Sequence, residues 1–249
     1  MVEPSWKPGM FTFRELLTDD EPGARRFYGA LFGWTWRGED AGRDGVYWLA
    51  ARGDQHVCGL MQRPPGVPGA VAWRSYVLVD DVDACAERSQ AAGGKVLYPA
   101  QDIPGIGRFA VIADPWGAVL QPFRATGGES RPPGPAPGTF CWETLVAPDP
   151  AAAVAFYARV IGFGTGSTPS GEGTVFTAGQ PVADLQPSRP GARGTWLTYV
   201  QVEGAEAARD HAVTLGAKVL VPRIDVPQVG TVAMIADPSG AALGLFQPG

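Results

Sequence analysis

Two carboxylates, Glu15 and Glu143, sit inside otherwise apolar runs, FTFRELL and FCWETLV. Burying a carboxylate costs free energy unless it is paired or hydrogen-bonded, so each needs a reason. One reason is structural, an ion pair with Arg14, Arg37 or Arg74 that closes a sheet. The other is chemical, a cavity carboxylate that takes a proton or accepts a hydrogen bond from a ligand. His56, on a predicted strand, is a third candidate for proton transfer. The other histidine, His211, falls on a helix where a second copy of the same pattern has Arg88, which reads as a solvated position. Around the three candidates, Trp36, Trp48, Gln62, Arg74, Tyr76, Gln121, Trp142 and Tyr199 could line a site for a flat or hydrophobic ligand with aromatic surface and polar tips. Trp73 with Trp196, and Tyr76 with Tyr199, recur in both copies and also fit shared packing.

Other chemistries lack their parts. GFGTGS at Gly162 follows a helix instead of opening one, so it reads as a turn and not a dinucleotide fingerprint. No GxSxG elbow and no GK[ST] loop occurs. Two histidines and three scattered cysteines, Cys58, Cys85 and Cys141, give no nucleophilic triad, CxxC pair or disulfide framework, which points to a reducing cytoplasm. The net charge of −5, without a Lys/Arg cluster, argues against nucleic acid and anionic membranes as partners. The N-terminus shows no basic segment followed by an apolar run, and no stretch has membrane-spanning length. The expected partner is a small organic molecule, bound by a monomer or homodimer.

The elements that must position these residues come from an internal repeat. WRSYVLV at Trp73 aligns with WLTYVQV at Trp196, and a constant spacing of 123 residues carries through IADPWGA and IADPSGA to Phe123 and Phe246. ARRFYGALFGW around Tyr28 resembles AVAFYARVIGF around Tyr157 at a spacing of 129, whereas Glu15 aligns with Glu143 at 128, which implies one added residue near Ala147 and Pro148. Pro/Gly-rich joints at Arg63 to Gly69, Arg124 to Gly138 and Pro187 to Gly194 divide the chain into four units.

Each unit reads as strand, helix, then three short strands. Phe11 to Leu17 and Val71 to Val79 are aromatic and branched, as strands are. Ala24, Phe27, Tyr28 and Leu31 recur at helical spacing between Asp20 and Gly33. A single such unit leaves sheet edges and an apolar face exposed, so units must pair. The expected fold is α+β, with four βαβββ modules (10–62, 70–123, 138–187 and 194–247) paired into two eight-stranded curved open sheets. The expected domains are 1–124 and 138–249, with 125–137 as linker.

The βαβββ repeat, the FYGALFGW helix, the VDDVDA strand-to-helix turn and the ADPWGA turn together resemble the glyoxalase, bleomycin-resistance and extradiol-dioxygenase superfamily, also called vicinal oxygen chelate proteins. FRELLTDD and CWETLVAPD before the FY helices are most similar to two-domain, actinobacterial-type members. The resemblance implies metal-dependent isomerases and dioxygenases, epoxide-opening resistance enzymes, or proteins that sequester an antibiotic. It places first-strand metal ligands near Phe13, Arg74, Trp142 and Trp196, none of which ordinarily binds a metal. The last-strand ligand of ADPxGxxxE falls on Gln121 and Gly244, and only Gln121 could coordinate. The expectation is therefore no metal and no other cofactor. The leading reading is a metal-independent binder of a hydrophobic or aromatic metabolite, acting by sequestration or by acid–base chemistry on Glu15 or Glu143. A metal-dependent lyase, isomerase or dioxygenase and a non-catalytic self-association module remain alternatives.

Overall fold

A computed structural model describes residues 6–42, 45–63, 71–127, 134–171 and 173–249. Most of the joint from Arg63 to Gly69, and the middle of the one from Arg124 to Gly138, lie outside the described residues. The first module runs β1 (Phe11–Thr18), α1 (Glu21–Phe32), β2 (Thr35–Asp40), β3 (Val46–Arg52) and β4 (Gln55–Gln62). The second runs β5 (Ala72–Leu78), α2 (Val82–Ala91), β6 (Lys95–Ile103), β7 (Gly107–Ala113) and β8 (Val119–Ala125). The third runs β9 (Phe140–Ala147), α3 (Pro150–Val160), β10 (Gly164–Ser167), β11 (Thr174–Thr177) and β12 (Pro181–Pro187). The fourth runs β13 (Thr195–Gln201), α4 (Ala205–Thr214), β14 (Lys218–Val226), β15 (Gly230–Ala236) and β16 (Ala242–Pro248).

Local chemistry sets the helix limits. Asp20 and Asp149 cap α1 and α3 by accepting from Gly23 N–H at 2.9 Å and Ala152 N–H at 3.0 Å, with a proline in each first turn. Gly33 ends α1 at φ 71°, a left-handed conformation that a side chain would resist.

The modules form two eight-stranded sheets, ordered β2-β3-β4-β1-β5-β8-β7-β6 and β10-β11-β12-β9-β13-β16-β15-β14. The first strands of successive modules meet in mid-sheet. Within each module the first strand runs parallel to the last, as β1 does to β4 and β5 to β8, and hairpins complete the rest. Hydrogen bonding thus pairs the modules in chain order.

The cores are assembled differently. One compact unit comprises Met1–Thr12, Ser75–Pro133 and Glu143–Trp196, so it unites modules two and three. The other comprises Phe13–Arg74, Gly134–Trp142 and Leu197–Gly249, uniting modules one and four. In the first unit, Val77, Ile112 and Leu120 of module two share a core with Leu145, Phe156 and Tyr157 of module three. In the second, Leu16, Phe27 and Tyr28 share a core with Ile235, Leu243 and Leu245.

The same polar node lies within each core. In the second unit, Tyr28 of α1 donates its O–H to Asp237 Oδ2 at 2.9 Å and accepts from Trp73 Nε1 at 3.0 Å. Asp237 Oδ1 in turn accepts from the N–H groups of Ser239 and Ala241, which holds the DPSG turn. In the first unit, Tyr157 donates to Asp114 at 3.1 Å, Trp196 donates to Tyr157 at 2.9 Å, and Asp114 holds the DPWG turn. The repeated Trp, Tyr and Asp positions are therefore packing and hydrogen-bonding residues. Burial raises the Tyr28 phenol well above its ordinary value, and the Asp237 charge adds to this. Burial likewise raises Asp237 above 3.8, opposed by the Ala241 N–H and the Tyr28 O–H.

Tyr28→Phe leaves the Asp237 oxygen and the Trp73 N–H without this partner, and should cost about 2–4 kcal/mol near neutral pH. An acid whose folded pKa is raised favours the fold when protonated and loses that contribution as pH rises through the raised value. The Tyr28 O–H matters most when Asp237 is ionised, so the deficit should shrink as pH falls toward 3.8. Urea melts of Tyr28→Phe and the parent across that range check both statements, and a deficit that grows on acidification would contradict them.

Candidate functional site

Strand alternation assigns each side chain a face. Leu16, Ala50 and Leu60 enter the core beneath α1, so Glu15, Tyr47 and Gly59 point to the helix-free face of β1, β3 and β4. Glu15 is 6% exposed and accepts from the Tyr47 hydroxyl at 2.8 Å. Tyr47 is on β3, Glu15 on β1, and β4 runs between them. The phenol reaches across because the intervening residue is glycine: a Cβ on Gly59 would lie 1.9 Å from the Tyr47 oxygen. Gly59 is paired with both Glu15 and Leu49, directly in the path.

The third module is built differently. The pairs Leu16 with Leu60 and Leu145 with Leu185 are equivalent, so the spacing of 129 residues holds along the whole first strand. This corrects the alignment of Glu15 with Glu143: the structural counterpart of Glu15 is Thr144, and Glu143 matches Arg14. Glu143 is fully buried on the face of Leu145, the core side, and therefore does not share the setting of Glu15. Gly173 stands for Tyr47, and Asp184 for Gly59. Asp184 accepts from Thr144 Oγ1 and from Gln186 Nε2, the latter at 2.7 Å.

The structure does not bring four other expected residues to Glu15. Trp48 lies on the helix side of β3, with the Arg25 guanidinium 3.7 Å from its ring centroid. Trp36 packs beside Trp34 and donates to the Arg25 carbonyl at 3.1 Å. Gln62 is exposed and braces the start of α1, bonding the Asp19 carbonyl and the Glu21 N–H. His56 is exposed next to the Gly53 turn, beside a register shift in the β3–β4 pairing.

Arg74 and Tyr76 do occupy a helix-free face, since Trp73 and Val77 between them enter the cores. Tyr76 pairs with Gln121 across β5 and β8, and its ring meets Phe123 edge-on at 5.9 Å and Phe109 at 6.1 Å. Trp142 shares the Thr144 face of β9 by alternation. Tyr199 pairs with Gly244, and its ring lies so close that a Cβ there would come within 2.1 Å. Tyr47, Thr144 and Asp184 were missed in the sequence. Their one signal was Gly59, an isolated glycine inside the apolar strand HVCGLM, which marks a close approach to the backbone.

Among the described residues no three His, Cys, Asp or Glu side chains form a cluster suited to a metal ion. Trp196, named among the implied ligand places, is the counterpart of Trp73 and hydrogen-bonds Tyr157 within a core, so the place equivalent to Arg74 is held by Leu197. Two surface hollows lie elsewhere: one of about 530 Å³ beside Trp6 and Arg124, another of about 360 Å³ beside Phe32 and His211. No described helix is long and apolar enough to cross a membrane.

Comparison with known proteins agrees with this architecture. Residues 14–121 match the glyoxalase-like domain family, and residues 142–245 match the Glyoxalase/Bleomycin resistance protein/Dioxygenase superfamily. Over 251 residues the chain is 32% identical to CFP32 of Mycobacterium tuberculosis, a protein named provisionally as a glyoxylase, covering 98% of this chain and 96% of that one. It is 31% identical to the anthracycline biosynthesis protein DnrV of Streptomyces peucetius, over 96% and 94% of the two chains. Among solved structures, the Mn(II)-bound glyoxalase of Novosphingobium aromaticivorans superposes with a TM-score of 0.64 at 17% identity, over 98% of this chain and 83% of that one. The 2,3-dioxygenase LapB of a Pseudomonas species gives 0.64 at 16%, over 98% and 94%. With a family match in each half and a full-length relative above 30% identity, the chain belongs to the glyoxalase, bleomycin-resistance and dioxygenase superfamily as a two-domain member.

Proposed function

We propose that the protein binds a small hydrophobic or aromatic organic molecule without a metal, with Glu15 as the polar anchor and Tyr47 as its partner. One observation carries this reading: a nearly buried carboxylate on the helix-free face is held by a phenol that crosses an intervening strand over Gly59. The fold does not demand the arrangement, because the third module pairs its strands in the same order with Thr144 and Asp184 at two of those places and Gly173, just before β11, at the third. A carboxylate in such surroundings accepts a hydrogen bond from a ligand hydroxyl or takes its proton, so sequestration and acid–base catalysis would use the same group. The donor chemistry supports metal independence: Phe13, Arg74, Trp142 and, at the place equivalent to Arg74, Leu197 stand where the resemblance puts the superfamily's first-strand metal ligands. The DnrV relative, which belongs to anthracycline biosynthesis, favours a flat polycyclic ligand. In sequence terms we assign the two repeats to 1–124 and 138–249, each of which supplies one whole sheet, while each compact unit draws on both.

Glu15→Gln keeps the shape and removes the charge. Fluorescence titration with an anthracycline should show about hundredfold weaker binding, the loss of one hydrogen bond to a charged group, with stability changed by less than about 1 kcal/mol. Normal binding with a deficit of about 3–5 kcal/mol would instead make Glu15 a structural ion-pair residue. Gly59→Ala forces the Tyr47 ring off its path, and should cost about 1–3 kcal/mol and weaken binding as much as Tyr47→Phe does. Thr144→Val, at the equivalent place in the other half, should leave the affinity unchanged. Chelator-treated protein should bind as the untreated protein does, and a loss restored by a divalent cation would overturn metal independence.

A further inference from the structure

In the unit built from modules two and three, Gln121 presents a polar group that neither packing nor hydrogen bonding explains. Leu120 beside it enters the core, so Gln121 points to the helix-free face with Tyr76. It is 2% exposed, and its Nε2 has no hydrogen-bond partner among the described residues. A buried donor without a partner destabilises the fold, and selection for stability alone would remove it. The tandem copy shows what the fold accepts there, namely Gly244, beneath the Tyr199 ring. Around Gln121 the face is aromatic, with Tyr76 against Phe109 and Phe123, and Tyr98 stacked on Phe109 at 5.8 Å.

We infer that the Gln121 amide donates a hydrogen bond to a carbonyl oxygen of a planar aromatic ligand that packs against Tyr76, Phe109 and Phe123. This rests on the small-molecule reading above and specifies, for the face of this unit, a flat ring system bearing an acceptor oxygen. A neutral amide binds such an oxygen without requiring charge on the ligand, and a ring system offers the stacking area that the three aromatics can use. The cost of the orphaned amide in the free protein is then recovered on binding.

Paired probes test the contact: anthraquinone sulfonate, and the anthracene sulfonate of the same substitution, which lacks the carbonyls. The parent should prefer the quinone by about two- to tenfold, the worth of one neutral hydrogen bond. Gln121→Met and Gln121→Leu should both lose that preference, bind the hydrocarbon as the parent does, and melt no earlier than the parent. A preference that survives in either folded variant, or equal binding of the two probes by the parent, overturns the Gln121 contact while leaving small-molecule binding in place. A lower melting temperature in both variants would make the glutamine structural and also overturn it. If neither probe binds the parent, the small-molecule reading falls and takes this inference with it.

Discussion

Each core depends on one buried hydrogen bond, from a helix tyrosine to the aspartate of a DPxG turn in a module of the other half of the chain. Tyr28 reaches Asp237, and Tyr157 reaches Asp114. The aspartate uses both oxygens, one for the tyrosine and one for the backbone of its own turn, so an alanine or serine there would release both. Trp73 and Trp196 complete the node by donating to the phenol oxygens. A carboxylate in an apolar core costs free energy that such hydrogen bonds offset. This is why the Trp, Tyr and Asp of the node recur in both halves of the sequence and lie on the helix side of each sheet.

The helix-free faces carry no such obligation, and there the two halves diverge. Glu15, Tyr47 and Gly59 in one become Thr144, Gly173 and Asp184 in the other, and Gln121 becomes Gly244. Such substitutions leave strand pairing intact, as the matching registers of β1 with β4 and β9 with β12 show. The duplicated chain thus contains its own control: the shared Trp-Tyr-Asp node reports what the fold needs, and unshared polar residues on the open faces report what a ligand would need.

Much of the fold was legible because it rests on local patterns. The Asp20 cap, the Ala24-Phe27-Tyr28 stripe and the Gly33 stop gave α1, and the unbroken 123-residue spacing gave the equivalence of modules two and four. The pairing of cores was not legible, because nothing in Tyr28 names Asp237 as its partner across 209 residues. The site was only partly legible. Glu15 was found from its apolar neighbours, but Glu143 looked the same in sequence while lying one residue out of register, and one residue reverses the face. Trp36 and Trp48 had the right composition and the wrong side of the sheet.

Neither half of the chain can complete a core by itself, although each contains a whole sheet. Residues 1–124 hold Tyr28 without Asp237, and Asp114 without Tyr157. The direct measurement is sedimentation with circular-dichroism melting of 1–124 and 138–249, produced separately and then mixed in equal amounts. Neither half should fold as a monomer, and mixing should restore a cooperative melt near that of the parent. A monomeric 1–124 that melts cooperatively at the temperature of the full chain would contradict it.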